Sequence, residues 1–178
     1  MKYILMAFQP KWLALILNRT KTTEIRTRIP ECLKNGEPVT VYGYCTKSTG
    51  GRIAMNKPYL LSTLRPIRNV LNGLVCCKFV VEKVEEVTYD EDGYADKSVL
   101  WGACINQEDF DAYAGDRRPI YDLHITVLEI IKPMPLSAFK HEVNVWVPEY
   151  QAFTDELRPV TRAPQSWIYI AEPVEVGE

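Results

Sequence analysis

The run Lys21-Thr22-Thr23-Glu24-Ile25-Arg26-Thr27-Arg28-Ile29 narrows the folds open to this chain more than any other feature. In an extended strand, successive side chains point to opposite faces. Lys21, Thr23, Ile25 and Thr27 then share one face, and Thr22, Glu24, Arg26 and Arg28 share the other. The second face sets one carboxylate beside two guanidinium groups, with a lysine where a preceding helix hands over to the strand. Burying that much charge is costly unless the groups are paired or face a ligand. A Lys and an Arg held by a Glu form a pre-oriented donor set for a phosphate or for the edge of a planar polar group. The plain alternative is a strand ion pair worth about 0–1 kcal/mol when exposed, next to a solvated lysine drawn to a helix C-terminus.

The surrounding pattern places this strand. Residues 3–8 read as a buried strand, and Pro10 suits the first turn of a helix in which Trp12, Leu13, Ile16 and Leu17 recur at helical spacing. Asn18 reads as its left-handed stop. Strands are expected over Pro38 to Cys45 and Leu74 to Val87, the latter with Val75, Cys77, Phe79 and Val81 on one face. Asn106 is expected to cap a helix through Tyr113, with Glu108 and Asp109 in its first turn and Gly115 stopping it. Ser98 to Cys104 shows no pattern. A strand over Ile120 to Ile130 should end at Lys132-Pro133, and Trp167 to Ala171 closes the chain. His124, on the penultimate of these strands, reads as a structural histidine. Strands with a few short helices and no βαβ alternation predict an α+β protein built on a mixed or antiparallel β-barrel.

Composition limits the function classes. A chain of 178 residues suits one domain with insertions. No apolar run approaches the roughly 20 residues that span a bilayer, and the N-terminus reads as a first strand rather than a leader, so a cytoplasmic location is expected. Five cysteines without a Cys-x-x-Cys pair, and only two histidines, point to reduced, buried thiols rather than zinc, and no cofactor is expected. The net charge of −2 argues against coating nucleic acid by bulk attraction. The charge is asymmetric, however: Lys11, Arg19, Lys21, Arg26, Arg28 and Lys47 fall early in the chain and the acids gather over 82–96 and at the C-terminus. The basic part is the part holding the alternating run. A merely solvated face is the bland reading of that asymmetry.

Lys21, Glu24 and Arg26 match Lys-x-x-Glu-x-Arg within the Gly-x-Lys-x-x-Glu-x-Arg signature of ASCH domains, small PUA-like barrels related to RNA-binding modules; Arg19 stands at the glycine. The opening Leu5 to Trp12 followed by Ile16-Leu17-Asn18, and the stretch Phe110 to Tyr113 with Gly115 to Tyr121, resemble the flanking elements of that family. The ending Arg162-Ala163-Pro164-Gln165-Ser166-Trp167 resembles the close of a prokaryotic and phage-type branch. The resemblance implies that residues 1–178 form a single ASCH/PUA-like domain. Two stretches depart from the family pattern and read as insertions. Near 46–72, a glycine-rich polar loop precedes a flap carrying Leu60, Leu61, Leu64 and Ile67. Near 140–161, Trp146, Tyr150 and Phe153 mark a packed excursion.

By resemblance, the expected function is binding of RNA or a nucleotide-like ligand, such as a modified nucleoside, in a basic cleft around the signature. Lys21, Arg26 and Arg19 would meet phosphate, Glu24, Gln165 and Ser166 the base edges, and Trp12 or Trp167 would stack on a base, although tryptophans usually pack in cores. The alternative is an enzyme, either a ribonuclease or an amidohydrolase acting on acylated cytidine, with Lys21 and Glu24 catalytic. The amidohydrolase pattern needs a hydroxyl three residues after the lysine, where Glu24 stands, and a glutamate on a later strand, where Lys78 and Phe79 stand with Glu82 a few residues on. A third reading is docking of a protein partner through residues 58–71. A closed pocket would favour a nucleoside, and an open basic groove a polymer.

Overall fold

The computed structural model of the chain describes residues 2–47, 51–55, 60–61 and 69–173. In order, the elements are β1 (Lys2–Phe8), α1 (Pro10–Leu17), β2 (Thr23–Arg26), α2 (Glu31–Lys34), β3 (Val39–Cys45), β4 (Arg52–Ile53), β5 (Leu60–Leu61) and β6 (Val75–Glu86). They continue with α3 (Lys97–Gly102), α4 (Gln107–Ala114), β7 (Tyr121–Met134), β8 (Lys140–Val147), β9 (Ala152–Pro159) and β10 (Trp167–Ile170). Six strands form one mixed sheet in the order β10-β1-β3-β6-β7-β2, and β8 and β9 form a separate antiparallel ribbon. Among the described residues only β1 and β3 pair in parallel.

β1 lacks polar alternation because both of its faces are covered. Ile4, Met6 and Phe8 join the core under α1 with Leu13, Ile16 and Phe79. Leu5 and Ala7 point the other way, into a second cluster with Tyr42, Val75, Phe139 and Ile170. A third cluster seats α3 and α4 through Ala103, Phe110 and Ala114 against Ile25 of β2 and Ile120. All five cysteines are unpaired thiols, four of them buried.

The mixed α+β class holds, but among the described residues the sheet does not close into a hydrogen-bonded barrel. Its two edge strands, β10 and β2, have only four residues each, and side chains bridge the gap between the two ends of the sheet. Trp167 Nε1 donates to the Arg28 carbonyl at 3.1 Å, and Arg26 Nη2 donates to the Ala7 carbonyl at 2.9 Å. The Cys32 thiol in α2 lies 3.4 Å from the Tyr169 hydroxyl of β10. The sheet therefore curls until its edges face each other across a seam of side chains.

Three local expectations need correction. Asn18 is not left-handed (φ −88°); Arg19 is, with φ 63°. Arg19 N donates to Ile16 O and Thr20 N to Leu15 O, the paired bonds of a Schellman end, so arginine here takes a conformation that usually falls to glycine. β7 runs through Pro133 to Met134, because beyond His124 its outer edge has no β2 beside it and the missing proline N–H leaves no ladder bond unmade. The unpatterned stretch before Cys104 holds α3, started by the Asp96 carboxylate, which accepts from Ser98 N at 2.7 Å. Of the flap expected over 58–71, Leu64 and Ile67 lie outside the described residues, as do Ser48, Thr49 and Gly50 of the preceding glycine-rich loop.

Candidate ligand-binding cleft

The helix end positions Lys21. The Leu15 carbonyl accepts from Lys21 N as well as from Thr20 N, which tucks residue 21 back beneath α1 before β2 begins. Lys21 therefore lies outside the strand alternation, and its ammonium reaches the same side as Glu24. Lys21 Nζ donates to the Ala103 carbonyl at 2.8 Å and lies 3.3 Å from Glu24 Oε2. The other carboxylate oxygen, Glu24 Oε1, takes Arg26 Nη2 at 2.9 Å. Lys21 is 5% exposed and Glu24 8%, so this is a buried relay of two cations on one carboxylate. Removing the carboxylate leaves both cations uncompensated, a change that costs about 3–5 kcal/mol in comparable buried pairs.

The relay forms one wall of a cavity of about 620 Å³, a size that takes a small organic ligand. Phe8 and Trp12 line it from the β1–α1 corner, Ile105, Asp109 and Tyr113 from the α3–α4 side, and Pro164 and Gln165 from the approach to β10. The Arg26 guanidinium sits 5.3 Å from the Phe8 ring centre. Lys11 and Lys21 lie 4.4 and 5.5 Å from the Trp12 ring centre. Two buried polar atoms of cavity-lining residues, Arg26 Nε and Thr46 Oγ1, have no hydrogen-bond partner among the described residues. Buried donors without partners are rare in folded proteins. Here they belong to residues that face open space large enough for a ligand.

The eight residues singled out from sequence separate into three groups. Lys21, Glu24, Arg26, Trp12 and Gln165 line the cavity. Ser166 stands behind it, its hydroxyl 3.4 Å from Arg26 Nη1. Arg19 and Trp167 are elsewhere. Arg19 is exposed and donates to the Leu128 carbonyl at 3.1 Å. Trp167 packs edge-on against Tyr169, 5.4 Å between ring centres, and spends its N–H on the seam. Trp12, not Trp167, is thus the tryptophan available for stacking. The α3–α4 wall was missed: Asp109 and Tyr113 are one helical turn apart, but their spacing was readable only as a cap and a helix face.

Behind β2, on the face away from the relay, lies Asp122, opposite Ile25 in the ladder and 4% exposed. Burial holds its carboxyl above the usual range, opposed by the Thr23 hydroxyl and by the charges of His124 and Lys21. His124 Nε2 lies 2.8 Å from Glu85 Oε2 and 3.7 Å from Asp122 Oδ2, which gives the imidazole an ordinary structural setting.

With this geometry in view, the chain aligns with crystal structures of an ASCH protein from Zymomonas mobilis. The native protein matches with a TM-score of 0.54 at 16% identity, over 96% of this chain and 89% of that one. Two single-substitution variants of it match with a TM-score of 0.55 at 16% identity, one over 96% of this chain and 89% of that one, the other over 97% and 92%. No protein-family model matches the sequence, and no curated protein matches it. The fold is that of these ASCH structures. The likeness is one of architecture.

Proposed function

We propose that the cleft binds a nucleotide-like ligand, taking one base or nucleoside at a time, either free or unstacked from an RNA strand. The observation that carries this reading is the Lys21–Glu24–Arg26 relay set in the wall of a cavity whose lining residues also hold two buried donors, Arg26 Nε and Thr46 Oγ1, without partners among the described residues. Facing the cavity, the relay offers fixed donors to the carbonyl and ring-nitrogen acceptors of a base edge, while Trp12, Phe8 and Tyr113 supply aromatic surface for stacking, worth about 1–3 kcal/mol per base. A cavity of about 620 Å³ that stays open to solvent on one side has room for a single base or nucleoside, free or presented by a strand. An RNA-linked role and residence in the cytoplasm belong to the same proposal.

The amidohydrolase reading is less well supported by the arrangement. Residue 24 is a carboxylate already committed to two cations, Lys78 of β6 pairs with Glu129 at 3.2 Å, and neither Lys78 nor Glu82 lines the cavity.

Thr46→Val is the discriminating variant. It removes one unpartnered hydroxyl and conserves volume, so the fold is expected to hold or gain stability, whereas affinity should fall about tenfold if the hydroxyl meets the ligand. Arg26→Ala is the stronger but riskier change, because Arg26 also bridges the seam. The measurement is titration calorimetry with free nucleosides, alongside anisotropy of short labelled RNA and DNA. Loss of affinity in both variants with an intact thermal melt for Thr46→Val supports the cleft. Binding that survives both, or no binding of any base, nucleoside or strand by the native protein, overturns it.

A further inference from the structure

The β8–β9 ribbon has a free edge. β9 pairs with β8 over eight consecutive positions, from Lys140↔Pro159 to Val147↔Ala152, without a bulge, and no described strand lies on its other side. Every residue of β9 is exposed. Proteins blunt long flat edges with lysine, an interior proline or a bulge, because unpaired N–H and C=O groups template further pairing. β9 has no lysine and no bulge, but it carries Asp155, Glu156 and Arg158 and ends at Pro159, so its free edge is selective about what pairs with it. The ribbon also shows apolar side chains to solvent on one face: Trp146 is 49% exposed, Phe153 67% and Leu157 53%. Two strands alone make a marginal sheet in water.

We infer that β9 is a homodimer edge, pairing antiparallel with β9 of a second copy about a two-fold axis at Leu157 to give a four-stranded sheet. The charges of the strand favour a second copy and a register that brings unlike charges together. Pairing centred on Asp155, on Glu156 or between them sets carboxylate against carboxylate. Centring on Leu157 sets Glu156 opposite Arg158 of the second copy, twice by symmetry, and Leu157 against its own equivalent. Opposite charges facing across an antiparallel pair stabilise it, and like charges destabilise it. Within one chain Arg158 Nη2 already lies 3.0 Å from Glu156 Oε2, with both side chains about half exposed, so the two groups are placed to be shared across the axis. The two-fold keeps Phe153 and Trp146 of both copies on the same side of the new sheet as Leu157, four residues away from the axis at each end. Self-complementarity of this kind is what an isologous interface requires. One strand's width buries less than the roughly 1,200 Å² of a standard stable complex, so the dimer is concentration-dependent.

Sedimentation velocity on the full chain, from micromolar to near-millimolar protein, tests the inference independently of the cleft. The native protein should shift from monomer to dimer over that range. Arg158→Glu should weaken the dimer at least about tenfold, since it turns two attractive pairs into repulsive ones. The double charge swap Glu156→Arg with Arg158→Glu should restore it. Both positions are exposed, and circular dichroism verifies that each variant is folded. A native protein that stays monomeric throughout, an Arg158→Glu variant that dimerises like the native chain, or a swap that fails to restore association each overturns it.

Discussion

Arg19 shows how a single residue departs from the ASCH signature while the geometry persists. The α1 end needs a left-handed residue so that the chain can reverse and present Lys21 to the cleft. The family uses glycine there, and this chain pays conformational strain to keep arginine at φ 63°. The strain of a left-handed non-glycine residue is about 1–2 kcal/mol, offset by the exposed bond from its guanidinium to Leu128 O. Arg19→Gly is therefore expected to stabilise the protein by about 1 kcal/mol, seen as a rise of a few degrees in melting temperature. Ligand affinity in the cleft should not change, because Arg19 lies outside it. A fall in stability would show that the Leu128 bond outweighs the strain. At this scale the chemistry of Glu24 and Arg26 was legible, since two positions apart on a strand means a shared face. The meeting of Lys21 with Glu24 was not: strict alternation sets them on opposite faces, and only the turn that keeps Lys21 out of the strand unites them.

Among elements, β3 and β6 carry the tightest fit. A Cβ on Gly43 would come 2.5 Å from Cys77 Sγ and 3.5 Å from Leu13 Cδ1, so the glycine lets β6 and α1 approach β3. Gly43→Ala is expected to cost about 1–3 kcal/mol, as overpacked cores do. The same change made together with Cys77→Ala should cost less than it does alone, because the clashing sulfur is gone. A double-mutant cycle by urea unfolding reads this coupling, and strictly additive effects would contradict the contact. The long strands and α4 were visible in the sequence through apolar alternation, the Asn106 cap and the Gly115 stop. α3 was not, because a six-residue helix with no buried residue leaves no periodic apolar trace. Its effect is nonetheless decisive, since the Gly102 carbonyl accepts from Thr22 N and the Ala103 carbonyl from Lys21 Nζ.

For the molecule as a whole, Asp122 ties stability to pH. Its folded-state pKa is raised by burial above the ordinary 3.8, so the stability this carboxyl contributes is present below that value and lost as pH rises through the folded pKa. Ionised Asp122 is a net cost at neutral pH. Asp122→Asn should then be more stable than the native protein at pH 7, by about 1 kcal/mol. The gap should open as pH rises from near 4 and level off above the native pKa. Urea unfolding across that range measures it, and a less stable variant at pH 7 would mean that attraction to His124 and Lys21 outweighs burial. The same whole-molecule view separates what each level of description decides. By itself the sequence determined the α+β class, most of the strands, the helix caps and the residue types of the relay, because these follow from neighbours a few positions apart. Tertiary structure alone decided that the sheet curls to a side-chain seam instead of closing, that Trp12 rather than Trp167 faces the cavity, and that α3 and α4 supply its far wall. Those outcomes depend on groups scores of residues apart meeting in space, such as Arg26 with Ser166 or Lys21 with Ala103, and no local pattern encodes where a distant carbonyl will stand.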